Sequence, residues 1–361
     1  MKVCIEQFLG ENHSWAVCGQ NLARTFHSLG HEVHLRSTNG YAYFPEDLKS
    51  LVKPKLDNDY DCQISYTAMR NFPNYLSHGN KNRFGIWNYE FTILPFGFSK
   101  YANFCDLMLP SSNFSKKIFL ENGIPEDKLV MIRHGFDTIS YSGTSKYELQ
   151  TKKKVKILAN IAQPHIRKNL GGLLEAYGRA FSKKDDVCLV LKVVDKPPKA
   201  LFEVSFSDIF KAFKRKFPNA GECEVITQFI PDISSLYRAC DITFTMTHAE
   251  CFFFPGLEAL ASGNIVIAPR YGGQLDFLSD NNAVLIDGKV VPAPKNAQYW
   301  SASPYSAMFE PSIEDAVVKL RDTVYNLSDV KGTLLNNVDE TLKNYTWESV
   351  VQDIIKLCKD V

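Results

Sequence analysis

Short apolar runs alternate along this chain with longer stretches whose apolar residues recur three or four positions apart, the pattern of an α/β protein with parallel sheets. Residues 2–7 read as a first strand, and residues 15–29 carry apolar positions at helical spacing up to Gly30. A second strand is predicted at 32–35, with further short ones at 62–66, 83–87, 107–109 and 129–132. Together they make one Rossmann-like unit. Residues 140–154 are polar, end in Thr151-Lys152-Lys153-Lys154 and offer little to bury, so 141–154 is expected to be an interdomain linker. The alternation then begins again, with strands predicted at 155–160, 187–194, 224–227, 242–245, 265–268 and 283–286, and a helix over 169–181. The domains expected are therefore 1–140 and 155–340. A last helical stretch over 341–361 either closes the second domain or crosses back to the first. Residues 281–309, interrupted by Pro292, Pro294 and Pro304, predict an ordered loop excursion.

Length supports the division, since 361 residues exceed what one core usually holds. A formal net charge of +1 removes any broad electrostatic reason to expect nucleic acid. The nine cysteines are scattered and odd in number with no CxxC pair, which argues against a disulfide framework or a zinc knuckle. Cys4, Cys62, Cys188 and Cys240 are expected to be small buried hydrophobes. The first residues reach an acid before any apolar run long enough for a signal peptide, and no membrane-length run follows; the expectation is a cytoplasmic protein. Asp57-Asn58-Asp59 spells an acid-x-acid pattern, read as a polar turn in preference to a metal site. Residues 210–217, Phe-Lys-Ala-Phe-Lys-Arg-Lys-Phe, form a basic amphipathic face that could touch anionic lipid weakly, although its short length favours a solvated helix face.

The chemistry concentrates in two places. Glu250 and Glu258 are separated by seven residues, and the second runs into Ala259-Leu260-Ala261-Ser262-Gly263. Pro255 fits the first turn of a helix and Gly263 its end, so the acids bracket a strand-to-helix junction, where ligands commonly bind. Upstream, Arg167-Lys168-Asn169 opens the helix predicted at 169–181. Positive charge at a helix start is unfavourable unless an anion compensates, which favours a phosphate contact over a solvated basic pair.

The run from Asp241 through Glu250, Phe252, Pro255, Glu258-Ala259 and Gly263 to Gly272-Gly273 resembles the donor-site signature of retaining GT-B glycosyltransferases, specifically glycosyltransferase family 4. Further segments of the chain resemble the family in order: Gly30-His31-Glu32-Val33, Ile132-Arg133-His134-Gly135-Phe136-Asp137, the stretch 160–174, and 232–241. The resemblance implies the GT-B architecture, two Rossmann-like domains facing a cleft, and metal-independent, retaining transfer of a sugar from a nucleotide-sugar donor to a hydroxyl acceptor, with no cofactor. It implies that Glu250 works beside the transferred sugar, that Glu258 holds the ribose hydroxyls, and that Arg167 and Lys168 embrace the diphosphate. Phe252, Phe253, Phe254, Gln163, Asn169, Gly272 and Gly273 fall on the donor side. Ser14, Trp15, Glu90 and His134 are the acceptor-side candidates, with an aromatic packing corner around Trp87-Asn88-Tyr89-Glu90 and a structural histidine as the alternatives. The chain departs from the family where Gln163 replaces an arginine, which shifts the cationic role to Arg167, and where Cys251 and Phe253 replace glycines, which predicts a narrower or differently shaped sugar pocket. Two other functions stay open: a sugar-nucleotide binding module with weak or no transferase activity, and a nucleotide-sugar epimerase on the same fold. The donor's base and sugar, the acceptor and the oligomeric state are not legible.

Overall fold

The computed structural model describes residues 1–8, 14–38, 45–53, 59–76, 81–196, 199, 203–297 and 305–360. The chain divides into two compact units, Met1–Phe136 with Asn344–Val361, and Asp137–Lys343.

The first unit holds β1 (Lys2–Gln7), α1 (Ser14–Ser28), β2 (Glu32–Ser37), β3 (Cys62–Tyr66), β4 (Arg83–Ile86), β5 (Leu107–Met108) and α2 (Asn113–Glu121). Its five strands are parallel in the order β2-β1-β3-β4-β5. A parallel sheet is covered on both faces, and β1 answers with Val3, Cys4 and Ile5, all fully buried. Helix α1 buries Leu22, Ala23 and Phe26 and ends two residues before Gly30, whose φ of 83° turns the chain toward β2. Ser112 caps α2 by accepting from the Ser115 N–H at 3.1 Å. The strand expected at 129–132 does not form as a ladder. Leu129 makes one bridge to Met108, and Val130 and Ile132 donate to the carbonyls of Met108 and Pro110. Strand β5 is too short to pair further, and Pro110 has no N–H to give.

The C-terminal helix Trp347–Asp360 belongs to this unit and packs against α1 through a face that includes Val350, Val351 and Ile354. Its entry is seated on Gly135, where a Cβ would lie 2.3 Å from Trp347 Cδ2.

The second unit holds β6 (Val155–Ala162), α3 (Leu170–Ala180), β7 (Val187–Val193), α4 (Phe206–Lys216), β8 (Glu222–Ile226), α5 (Ile233–Arg238), β9 (Ile242–Phe244), α6 (Phe254–Ala261), β10 (Ile265–Pro269), β11 (Val284–Ile286), β12 (Gly288–Pro292), β13 (Ala307–Pro311) and α7 (Ile313–Tyr325). Six parallel strands run in the order β11-β10-β9-β6-β7-β8. The order reverses between β6 and β9, the switch point at which open α/β sheets bind ligands beyond their carboxyl ends. One face of the sheet, with Ile157, Leu189 and Leu191, packs on Leu173 and Tyr177 of α3 and on Leu320 of α7. On α4, Phe206 and Phe213 are buried while Lys211, Lys214, Arg215 and Lys216 face solvent, and the Lys214 ammonium sits 5.1 Å from the Phe210 ring centre.

Two expectations change here. Residues 141–154 are part of the second unit rather than a free linker, because polar groups tie them down: Tyr147 N–H donates to the Ser235 carbonyl at 2.9 Å, and the Glu224 carboxylate accepts from the N–H groups of Gln150 and Thr151. The excursion at 281–309 contains an antiparallel pair, β12 with β13. Pro292 did not forbid the ladder because it stands at the end of β12, and Pro294 lies beyond that strand; Pro304 lies outside the described residues. All nine cysteines are free thiols, and Cys4, Cys62, Cys188 and Cys240 are buried. Among the described residues no helix is long and apolar enough to cross a membrane.

Glu6, at the end of β1, is fully buried. Burial raises its carboxyl from the ordinary 4.5 to about 8, against the opposing pull of Arg36, and Oε2 has no hydrogen-bond partner among the described residues. The folded protein thus retains a proton that the unfolded chain releases. Stability is expected to fall between pH 4.5 and 8, with a slope of at most about 1.4 kcal/mol per pH unit, and Glu6→Gln to flatten that slope in urea unfolding followed across pH.

Candidate active site

The site is built at the switch point from the segments that leave β6 and β9. After β6 the chain makes a short turn, Ile166–Lys168, and Asn169 then adopts the left-handed conformation at φ 48°. Its side chain does two jobs: Oδ1 accepts from the Gly172 N–H at 3.1 Å and so caps α3, while Nδ2 donates to the Met246 carbonyl at 3.0 Å. That second bond ties the turn to the segment after β9. The tie continues through the backbone, where the His248 N–H donates to the Arg167 carbonyl at 2.8 Å.

Arg167 and Lys168 converge on Glu250. Arg167 Nη1 lies 2.8 Å from Glu250 Oε2 and donates to the Ala249 carbonyl at 2.6 Å, and Lys168 Nζ lies 2.6 Å from Oε1. Thr247 Oγ1 adds a bond to Oε1 at 3.2 Å. The three charged side chains are 12%, 22% and 8% exposed in the order Arg167, Lys168, Glu250, so little solvent screens them. Burial pushes the Glu250 carboxyl up, and the two cations override it and hold the group at about 2. His165, just before the turn, is lowered to about 3 by burial with Arg167 and Lys168 adding to it, so its imidazole is neutral.

The segment that carries Glu250 is fixed from behind. The Glu250 carbonyl accepts from the Gly273 N–H at 2.8 Å, and Gly272, at φ 94°, approaches so closely that a Cβ would lie 2.6 Å from that carbonyl oxygen. On the other side His248 and Phe309 exchange contacts, with the Phe309 N–H donating to the His248 carbonyl at 2.9 Å and His248 Nδ1 meeting the Phe309 carbonyl at 2.8 Å. Phe252 packs on Phe254 and Phe277, with ring centres 4.9 and 5.9 Å away. Phe253 takes φ 80° at the start of α6, and it and Phe252 are buried. A Cβ at Gly256 would meet the Phe253 ring at 2.7 Å, so this glycine makes room for the aromatic side chain.

Glu258 falls in the second turn of α6, since the helix begins at Phe254 with Pro255 in its first turn. Its carboxylate accepts from the Tyr237 hydroxyl at 2.6 Å, and that hydroxyl accepts from Asn160 Nδ2 at 3.0 Å. Burial raises the Glu258 carboxyl, against hydrogen bonds from Tyr237 and Tyr141. The two rings lie 6.0 Å apart, edge to face.

Other candidates lie elsewhere. Gln163 is engaged through its amide by Glu203. In the first unit Trp15 stacks on Tyr66 at 6.3 Å, and the Tyr66 hydroxyl meets His134 Nε2 at 3.1 Å within a buried network that includes Asn88 and Ser111. Burial lowers His134 to about 3. Ser14 is exposed at the first position of α1; Glu90 is half-buried next to Tyr89, which packs on Trp87 at 4.9 Å. Asp59 pairs with Lys2 at 2.8 Å, and Asp57 and Asn58 lie outside the described residues, as does the segment 9–13 with Gly10. Spacing along the chain gave no sign of Asn160 or Tyr141, because each acts across a distance in sequence that only folding closes, and Thr247, three residues before Glu250, carries no charge to mark it.

Replacing Glu250 by glutamine leaves two part-buried cations without their carboxylate. A loss of about 3 kcal/mol at neutral pH is expected from denaturant unfolding. Because the folded carboxyl titrates near 2 and the unfolded one near 4.5, the difference from the wild type should shrink as pH falls from 4.5 toward 2. Gly272→Ala should also destabilise, since the new methyl group must displace the Glu250 carbonyl at a φ that alanine rarely adopts.

Residues 144–303, all within the second unit, match the family profile of glycosyl transferases group 1. No curated protein is similar to the chain at a significant level. Among solved structures, HepE of Anabaena in complex with UDP and glucose is similar with a TM-score of 0.69 at 14% identity, over 100% of both chains. A glycosyltransferase from Rickettsia africae gives 0.71 at 17%, over 99% of this chain and 98% of that one. Sucrose-phosphate synthase from Thermosynechococcus elongatus gives 0.70 at 12%, over 99% and 98%. At such identities the likeness establishes the fold, which is GT-B; with the match in the second unit it supports a GT-B glycosyltransferase.

Proposed function

We propose that the protein is a retaining glycosyltransferase of the family 4 type, which moves a sugar from a nucleotide diphosphate donor held by the second unit to a hydroxyl acceptor. The observation that carries this reading is the convergence of Arg167 and Lys168 on Glu250 at the switch point of the sheet. An ammonium has three N–H groups, so Lys168 can hold Glu250 and still address the oxygens of a diphosphate, with the Arg167 charge beside it.

The division of labour follows from charge. As the bond from sugar to phosphate breaks, negative charge gathers on the leaving diphosphate, and Arg167 and Lys168, already fixed in a poorly screened site, stabilise it without reorganisation. These two side chains take the part that a divalent cation plays in other transferases, which is the basis for proposing metal independence. Glu250, held ionised, has no proton to donate; its role is to accept from sugar hydroxyls and keep the cations aimed. In front-side displacement the leaving phosphate accepts the acceptor's proton, and no separate protein base is needed. Glu258, steadied by Tyr237, accepts from the ribose hydroxyls. The acceptor candidates Ser14, Trp15, Glu90 and His134 all belong to the first unit. HepE has been crystallised with UDP and with UDP-glucose, which makes uridine diphosphate sugars the first donors to test.

A panel of UDP-, GDP-, ADP- and dTDP-sugars should contain at least one that raises the melting temperature; saturation at a hundred times Kd corresponds to about 2.7 kcal/mol. Stabilisation by none would sink the proposal. With the matching donor and an acceptor, NMR should find the anomeric configuration kept. Binding without hydrolysis or transfer would instead mark a sugar-nucleotide binding module, and an epimerised donor an epimerase. Glu258→Ala should weaken nucleotide binding about tenfold or more by calorimetry; an unchanged Kd removes the ribose role from Glu258.

A further inference from the structure

One buried cation of the second unit has no part in the cluster just described. Lys192 is the sixth residue of β7 and only 8% exposed. Among the described residues no acceptor takes a hydrogen bond from its ammonium, and no carboxylate forms an ion pair with it. Burial lowers its pKa, with no neighbouring charge contributing. A lysine so placed gives up much of its hydration while its ammonium keeps a path to solvent, so an acceptor brought in by a ligand can reach it.

Its position says what that acceptor can be. Lys192 is in register with Asn160 of β6 and with Ile226 of β8. Residues in register in a parallel sheet point to the same face, so Lys192 shares a face with Asn160. Asn160 donates to Tyr237, and Tyr237 donates to Glu258. The order from the switch point outward is therefore Glu250 with its two cations between β9 and β6, then the Asn160–Tyr237–Glu258 chain at β6, then Lys192 at β7, about 4.8 Å further across the sheet. A nucleotide whose diphosphate meets Arg167 and Lys168 and whose ribose meets Glu258 has one part left to place in that direction, its base.

Building on the sugar-nucleotide reading of this unit, we infer that Lys192 donates a hydrogen bond to a keto oxygen of the donor's nucleobase and so selects which base the protein accepts. Uracil and guanine present keto oxygens that an ammonium satisfies. Adenine presents an amino donor in the place of the guanine keto group, which an ammonium opposes. The diphosphate is the less suitable partner, since its oxygens already face two cations on the far side of Asn160.

The test is calorimetric titration of UDP, GDP and ADP into the unaltered protein and into Lys192→Met, which keeps an unbranched side chain one atom shorter and removes its donors. The unaltered protein is expected to bind UDP or GDP about tenfold or more tightly than ADP, and the substitution to erase most of that preference while changing ADP binding by no more than about twofold. The ligand-free variant should melt no lower than the unaltered protein, because no internal partner is lost. The inference is overturned if Lys192→Met binds UDP and GDP as before, if the unaltered protein prefers ADP, or if the variant melts lower and weakens all three nucleotides alike, the mark of a structural role. If the unaltered protein binds none of the three, the sugar-nucleotide reading itself fails and the base assignment falls with it; binding that is insensitive to the substitution removes only the latter.

Discussion

The buried ion pairs of Glu250 with Arg167 and Lys168 join two segments that are about eighty residues apart in the chain. Neither side is affordable alone: an unpaired carboxylate or two adjacent cations with this little exposure would be heavily penalised. The turn after β6 and the segment after β9 therefore have to close on each other, and the bonds from Asn169 to Met246 and from His248 to Arg167 complete the closure with backbone groups. What results is a pair of cations whose positions are set before any ligand arrives, the condition under which electrostatic stabilisation is most effective.

The surrounding packing serves that closure. Gly272 lets the backbone of one segment lie directly on the Glu250 carbonyl, and the pair β12 and β13 reaches back through Phe309 to hold His248. Phe252 and Phe253 fill the space under the start of α6 with rings. Where glycines were expected by resemblance, this chain has a buried thiol at Cys251 and a buried ring at Phe253. The polar groups that do meet, Glu258 with Tyr237 and Asn160, extend the site from α6 to β6, the strand beside β7.

Much of this was legible beforehand, and the reasons differ by element. Strand β1 carries its buried residues without interruption, so its ends could be placed directly, and α1 ends near a glycine that its turn requires. Residues 129–132 have strand composition but lack a partner long enough to pair with. Residues 281–309 looked irregular because prolines are read as interruptions wherever they stand, and only the pairing shows that Pro292 marks a ladder end. Residues 141–154 looked free because polar chain has little to bury; their anchors, Glu224 and Ser235, lie some eighty residues downstream.

The sequence by itself determined the two α/β units and the chemical character of the candidate site, since apolar periodicity dictates which faces must be buried and residue type dictates which charges are available. It pointed to Glu250, Glu258, Arg167 and Lys168 one by one. Only the tertiary structure decided that three of these share one cluster while Glu258 binds a tyrosine instead, and that Lys192 has no partner among the described residues. Charge compensation depends on distances of a few ångströms between residues far apart in the chain. Linear spacing carries no such distances; the side-by-side pairing of β6 and β9 at the centre of the sheet creates them.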